Sequence, residues 1–273
     1  MATKPDIVDI DLPGVHDASW AKEIETTAMQ FTLIFGVIQL ISVMILEWSR
    51  DLTPLNGQPD SVAGHALISS IILCFIVTPI AFLRRLNYRN ARLGAQLPHK
   101  RGWAVVPVTI GVALLTVLLV IGGFEIFSRT FEGVMLDRAS SATVLVLLIG
   151  VLAYVITHTV MSMRTAATLV NLMAIYLMAT LFFAAYFNDN PLWWQKSFSY
   201  LGMTESNSRY IFDIGLIFTG ILAIAWQYFF MESFTVLQSH GNLTQHAYSI
   251  IRWTIIIAGI ALATVGLVRF GIS

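Results

Sequence analysis

The chain has 273 residues, of which 56% are hydrophobic and 12% are charged, and its 16 basic and 16 acidic residues give no formal net charge. An apolar composition without a basic surplus is typical of a bilayer-embedded protein and excludes a basic nucleic-acid-binding protein. Cys74 is the only cysteine, which excludes an intramolecular disulfide, a cysteine-rich zinc site and an iron–sulfur cluster.

The N-terminal segment, residues 1–27, is acidic and lacks the basic start and apolar core of a cleavable signal peptide. We therefore predict a solvated, partly disordered cytoplasmic tail over this segment. Asp17 or Ser19 is a suitable cap for a short helix from Trp20 to Gln30, which would lead into the first membrane span.

Long apolar stretches separated by short polar loops occupy the rest of the chain, residues 28–273. A helix rises about 1.5 Å per residue, so about 20 apolar residues are needed to cross ~30 Å of hydrocarbon. The sequence therefore predicts an all-α fold, a polytopic transmembrane helix bundle. The seven predicted spans cover residues 28–48, 63–83, 105–127, 141–163, 166–187, 210–233 and 252–270.

The distribution of Lys and Arg predicts the orientation. The loop at 84–103, between the second and third spans, contains six of the 16 basic residues and no acid. Because cytoplasmic loops are enriched in Lys and Arg, we expect this loop and the N-terminus to be cytoplasmic. With this orientation the cytoplasmic segments contain ten Lys and Arg and the outer segments contain six.

Several ionisable residues lie near the outer ends of the predicted spans. Glu125 and Arg129 are four residues apart, and Arg209 and Asp213 repeat this spacing. Ionisable groups at membrane depth are costly unless paired or hydrated, so Glu125 and Asp213 are functional candidates; alternatively, each only pairs with its own arginine. His65 could carry protons beside either carboxylate, or be an interfacial residue with one hydrogen bond. The catalytic candidates are His65, Glu125 and Asp213.

The loop between the fifth and sixth spans combines tryptophans, a lysine, serines and a glycine. Tryptophan favours the membrane interface, and lysine can reach a phosphate or a carboxylate. We predict an ordered loop that is folded against the helix ends and binds a lipid headgroup, with Gly202 supplying the turn. Valine at Gly202 should be damaging if the φ of this residue is positive. An ordinary aromatic-belt loop is the alternative. The candidate ligand-binding residues are Trp193, Trp194, Lys196, Ser199, Gly202, Arg209 and Asp213.

The SFSYLG run at 197–202, followed by IFDIGLIFTGIL at 211–222, resembles the domain of unknown function 998 family of bacterial polytopic membrane proteins. That family has an outer Ser-x-Leu-Gly turn and then a helix that opens with Phe and carries spaced glycines. Asp213 stands where the family more often has Asn. The matching residues are Ser199, Leu201, Gly202, Phe212, Gly215 and Gly220.

The resemblance covers residues 166–273 and leaves a four-span part, residues 28–163, upstream. The family pattern would continue past the final GLVRFGIS, so we expect either a shortened protein or an extension beyond Ser273. The resemblance implies a bacterial cytoplasmic (inner) membrane location. A more distant similarity to the DRAM, Sfk and GPI-remodelling group implies a connection with membrane lipids.

Three classes of function fit these observations. The first is a non-enzymatic protein with an outer-face site for a lipid or amphiphile, in lipid handling, transport or sensing. The second is an intramembrane hydrolase or acyl-transfer enzyme that uses His65 with Glu125 or Asp213. The third is an accessory subunit of a larger membrane complex.

We expect membrane lipids as partners, no nucleic acid and no cofactor. No metal is expected either, because no two histidines have the helical spacing of three or four residues. The glycine-rich faces of the last two spans predict close helix packing within one protomer, with a homo-oligomer interface as the alternative.

Overall fold

A computed structural model describes residues 18–46, 52–55, 60–93, 105–131, 133–162, 165–190, 192–196, 198–202, 207–239 and 245–267. In these ranges the chain forms seven α-helices, which confirms the predicted all-α bundle. They are α1 (Ala18–Leu46), α2 (Val62–Leu93), α3 (Val105–Thr130), α4 (Arg138–Ser162), α5 (Thr165–Tyr186), α6 (Asn207–Ser239) and α7 (Gln245–Leu267). Two short strands, β1 (Leu52–Pro54) and β2 (Met135–Asp137), and two 3₁₀ turns, Trp193–Gln195 and Phe198–Gly202, lie between helices.

Within the described residues, five helical segments are long and apolar enough to cross a membrane, namely Ser19–Ile45, Val62–Tyr88, Val105–Thr130, Arg138–Ser162 and His246–Leu267. In α5 the apolar segment is shorter and covers Val170–Tyr186. Large aliphatic side chains are exposed on these helices, as expected for surfaces that contact lipid. The chain is therefore a multi-pass integral membrane protein.

The first turns of α1 belong to the segment that we expected to be a tail. Trp20 is buried and stacks on Tyr88 of α2, with ring centroids 3.9 Å apart. Arg84 donates a hydrogen bond from Nη1 to Thr27 Oγ1 over 3.1 Å. The start of α1 is therefore packed against the end of α2, whereas residues 1–17, with the predicted cap Asp17, lie outside the described residues.

The helices pack in two groups. In the first group, α4 lies between α1 and α2, and α2 also packs along α3. In the second group, α6 lies between α5 and α7. Contacts of α3 with α5 and α6 join the two groups. Helices that are distant in sequence, such as α1 and α4, therefore form some of the main interfaces.

The two strands join connections that are far apart in the chain. β1 pairs with β2 in antiparallel register, with Leu52 opposite Asp137 and Pro54 opposite Met135. The backbone N–H of Leu55 extends the pairing by donating to the carbonyl oxygen of Val134 over 3.3 Å. The α1–α2 and α3–α4 connections consequently lie at the same end of the bundle, which we call the sheet face.

The α5–α6 connection lies at the sheet face as well. Arg129, near the end of α3, places its guanidinium 5.8 Å from the ring centroid of Tyr186 and 5.2 Å from that of Phe187. These two aromatic residues lie where α5 ends. Cation–π contacts of this kind are favourable, and here they connect the two helix groups.

Glycines allow α6 and α7 to approach closely. A Cβ atom at Gly220 would overlap the carbonyl oxygen of Gly259 and lie 2.8 Å from the backbone nitrogen of Ala263. A Cβ atom at Gly266 would lie 2.5 Å from the carbonyl oxygen of Asp213. Small residues permit such backbone contact between membrane helices. The predicted close packing within one protomer is confirmed.

Gly220→Ala should lower the free energy of unfolding by about 1–3 kcal/mol, because the added methyl group meets backbone atoms that cannot rotate away. Unfolding in a mixed-detergent titration, followed by circular dichroism, measures this loss. Gly123→Ala is the matched control, since a Cβ atom at this glycine of α3 meets nothing within 4 Å. That variant should be neutral or up to about 1 kcal/mol more stable. Equal losses in both variants would contradict the close-packing explanation.

Candidate functional site

The connection between α5 and α6 is ordered over its described residues, which we call the loop cap (188–190, 192–196 and 198–202). It contains both 3₁₀ turns. Leu201 is fully buried and packs with Ala184 of α5 and with Phe212 and Leu216 of α6. Over these described residues, the predicted folding of the loop back against the helix ends is confirmed.

Side-chain hydrogen bonds attach the loop cap to α6. Asn188 donates from Nδ2 to the hydroxyl oxygen of Ser208 over 3.1 Å. Ser208 in turn donates its hydroxyl to the carbonyl oxygen of Leu201 over 3.1 Å. Asn190 donates from Nδ2 to the hydroxyl oxygen of Tyr200 over 3.3 Å. The first turn of α6 therefore holds the beginning and the end of the loop cap together.

Sequence reasoning did not assign a role to these asparagines, although a signal was present. The side-chain oxygen of Asn188 accepts from the backbone N–H of Asn190 over 2.9 Å, and that of Asn190 accepts from the N–H of Leu192 over 2.9 Å. Asn residues commonly stabilise turns in this way. The NDN run at 188–190 is therefore a recognisable turn motif.

The predicted ligand-binding residues of the loop cap differ in exposure. Trp193 is half-buried and packs on the Leu201 cluster, whereas the Trp194 side chain is 64% exposed. Lys196 is exposed, and its Nζ lies 4.1 Å from the ring centroid of Tyr200. Hydrogen bonds from Asn190 and then Lys196 lower the pKa of the Tyr200 hydroxyl below its usual range. The side chain of Ser199 lies outside the described residues.

The φ of Gly202 is not positive, so a left-handed backbone conformation does not explain the glycine. Among the described glycines, the positive φ belongs to Gly133, at 73°. Gly202 is instead required by close contact, because an added Cβ atom would lie 2.9 Å from Cδ1 of Phe212 and 3.2 Å from Oδ1 of Asp213. The glycine lets the second 3₁₀ turn lie directly on α6.

Both predicted pairs of opposite charge are present. The Nε atom of Arg129 donates to Oε1 of Glu125 over 3.0 Å. The Nε atom of Arg209 lies 3.5 Å from Oδ2 of Asp213, and both side chains are about a quarter exposed. Each carboxylate therefore has its own arginine on the same helix, as expected for residues four apart.

His65 lies in the first turns of α2, at the sheet face. Its side chain is half-buried, its Nδ1 atom is buried, and its backbone N–H donates to the carbonyl oxygen of Ser61 over 3.0 Å. Its helix packs along α3, which carries Glu125, whereas Asp213 belongs to the other helix group. A catalytic role for His65 with either carboxylate stays a prediction.

A groove between α1 and α4 is a second feature of the sheet face, and the sequence did not indicate it. Its volume is about 780 Å³, within the range of ~300–1,000 Å³ that is common for ligand sites. Asp137 and Arg138 form its polar end. The apolar walls include Leu40, Val43 and Met44 of α1 and Ala142, Val146 and Leu147 of α4.

The groove runs into the part of the bundle that crosses the membrane. Its lining on α4 extends from Arg138 to Leu147, which is about 14 Å along a helix that rises 1.5 Å per residue. This length is about half of the ~30 Å hydrocarbon thickness. Leu40, Met44 and Leu147 are between 43% and 63% exposed, so the groove opens sideways toward the bilayer. It is polar at the sheet face and apolar along the two membrane-spanning segments.

Asp137 is fixed at the junction of β2 and α4. Its carboxylate accepts hydrogen bonds from the hydroxyl of Ser140 and from the backbone N–H groups of Ala139, Ser140 and Asp137 itself, and the bonds to Ala139 and Ser140 are those of a helix N-cap. These bonds lower the pKa of the carboxyl below its usual range, so Asp137 is ionised at neutral pH. The DRAS run at 137–140 carries this cap signal in the sequence.

The fold defines a multi-pass integral membrane protein, and the groove is a cleft between two of its membrane-spanning helices. The chain matches no model of a protein family, no curated protein and no solved structure. Its resemblance to the domain of unknown function 998 family stays a prediction, and its function is argued from its own residues.

Gly202→Val should destabilise the protein by about 1–3 kcal/mol, because its side chain would overlap the Phe212 ring. Thermal unfolding in detergent, converted to free energies for both single variants and the double variant, measures this contact. In a Phe212→Ala background the cost of Gly202→Val should shrink, since the overlapping ring is gone. An unchanged cost in that background would show that contact with Phe212 does not explain the glycine.

Proposed function

We propose that this protein binds a membrane lipid or another amphiphile at its sheet face, in lipid handling, transport or sensing, and that the groove between α1 and α4 holds the apolar chain. The groove itself carries this proposal. Its polar end and apolar walls have the same order along the membrane normal as the headgroup and chain of a lipid in that leaflet.

The position of the groove favours a ligand from the bilayer. Its walls belong to the apolar spans Ser19–Ile45 and Arg138–Ser162. A lipid chain gains little hydrophobic free energy by moving from the bilayer to a protein surface, so binding depends on packing contacts. A concave groove surrounds a chain and so provides more of these contacts than a convex helix surface. Each contact contributes about 0.1–0.2 kcal/mol, so the additional contacts favour the groove.

The loop cap has a supporting role in this proposal. Exposed Trp194 and exposed Lys196 are suited to the aromatic and phosphate-rich layers of a membrane interface. Arg209 and Asp213 lie beside the loop cap at the start of α6. We propose that these residues and their neighbours, including Trp193, Ser199 and Gly202, anchor the sheet face at headgroup depth.

The sheet face is proposed to be the outer face of a bacterial cytoplasmic membrane, with a cytoplasmic N-terminus. The support is the basic stretch at 84–103, which contains six Lys and Arg. Its first ten residues, predicted as loop, are the last turns of α2 at the end of the bundle opposite the sheet face, and the rest lies outside the described residues. With this orientation the groove opens to the outer leaflet.

Cysteine labelling tests the orientation. Gln195→Cys at the sheet face should react with a membrane-impermeant maleimide in intact cells, because this position is exposed. Asn87→Cys, also exposed but at the opposite end, should react only after permeabilisation. The native Cys74 is buried and should give little background. The reverse labelling pattern would place the sheet face in the cytoplasm.

Thr143→Trp should fill the groove and weaken phospholipid retention about tenfold, because the loss of roughly ten packing contacts with the chain is enough for this factor. Thr143 is exposed and its hydroxyl bonds only to the Ala139 carbonyl oxygen one turn earlier, so the change should not disturb the core. Native mass spectrometry of the protein released from detergent micelles with added phospholipid measures the retained lipid.

Thr264→Trp is the matched control. Thr264 is exposed near the sheet-face end of α7, and its hydroxyl makes the same type of bond, to the Ile260 carbonyl oxygen. Retention that is equal in the two variants would remove the support for a lipid chain in the groove.

A further inference from the structure

The polar end of the groove carries two neighbouring and opposite charges, Asp137 and Arg138. We propose that this pair selects a zwitterionic phospholipid, with Arg138 binding the phosphate and Asp137 binding the ammonium group of the headgroup. This inference rests on the proposed function and adds the chemical class of the lipid.

Asp137 is suited to contact an ammonium group because its position is fixed and its ionised carboxylate is exposed. Strand pairing with Leu52 and the hydrogen bonds to the start of α4 hold the residue in place. The contact with an ammonium group is an attraction between opposite charges and does not need a vacant lone pair. The residue is exposed, so a headgroup can reach the carboxylate from the membrane interface.

Arg138 is suited to contact a phosphate. A guanidinium presents planar, forked N–H donors that match two phosphate oxygens, and it keeps its charge at every physiological pH. Arg138 follows Asp137 directly, and consecutive Cα atoms are about 3.8 Å apart. In ethanolamine and choline lipids a short carbon linker likewise joins the phosphate to the ammonium group, so one headgroup can meet both side chains.

The same pair disfavours lipids of net charge. The headgroup of phosphatidylglycerol has a phosphate for Arg138 but no cation for Asp137, which then faces an anionic ligand. A cationic amphiphile has a cation for Asp137 but no phosphate for Arg138, which then faces a ligand of its own charge. Selection therefore arises from the mismatch as much as from the favourable contacts. Arg138 should affect every phospholipid, whereas Asp137 should affect only the choice between headgroups.

A competition experiment tests the inference. Native mass spectrometry compares retention of phosphatidylethanolamine and phosphatidylglycerol, supplied in equal amounts with identical acyl chains, with phosphatidylcholine in a parallel arm. The wild-type protein should retain each zwitterionic lipid about fivefold better than phosphatidylglycerol, as expected for one exposed ion pair. Asp137→Asn should bring this ratio close to one, and Arg138→Gln should weaken retention of all three lipids.

Two features of the variants guard against indirect effects. Asparagine caps a helix as well as aspartate does, so Asp137→Asn should fold normally, and its thermal unfolding temperature checks this. Asp189→Asn is the matched control, because Asp189 is an exposed acid of the loop cap outside the groove. It should keep the wild-type ratio.

The outcomes separate this inference from the proposed function. If Thr143→Trp removes a retained lipid but the wild-type protein shows no headgroup preference, the inference is wrong and the groove site stands. The inference is also wrong if Asp137→Asn keeps the preference, or if Asp189→Asn loses it equally. If no retained lipid responds to Thr143→Trp, both the groove site and the headgroup selection are wrong.

Discussion

The pairing of β1 with β2 is the constraint on which the sheet face depends. Strands of three residues are short, but they join the α1–α2 connection to the α3–α4 connection. Since β2 leads directly into α4, the pairing also fixes where Asp137 caps that helix and where the α1–α4 groove begins. The position of the polar end of the groove thus depends on the backbone hydrogen bonds between the two strands.

Periodicity, charge spacing and small residues were sufficient to predict the helices and their local contacts. The pairs Glu125–Arg129 and Arg209–Asp213 are present because both partners lie on one helix, and sequence spacing determines such contacts. Gly202 shows the limit of this approach. Its position in a loop indicated a turn, but the actual reason for a glycine is contact with Phe212, which depends on how the loop cap is placed on α6.

The groove could not be predicted, because it lies between α1 and α4, which are separated by two other helices in the chain. In a bilayer, apolar residues cover both the lipid-facing and the buried sides of a helix, so the sequence pattern does not show which helices are neighbours. The signals that could be found were local ones, such as the DRAS cap at 137–140 and the NDN turn at 188–190. These two motifs identify local turns and a helix start at the sheet face, but they do not predict a groove between two helices.

The sideways opening of the groove determines how the proposed lipid binding would work. A cleft that opens to water contains water until its ligand arrives, whereas one that opens to a leaflet is always in contact with lipid. Each lipid that enters must displace another, so occupancy depends on the mole fractions of the lipids in that leaflet and on the difference between their affinities. The groove would then respond to the composition of the membrane, and lateral diffusion would limit how fast it responds.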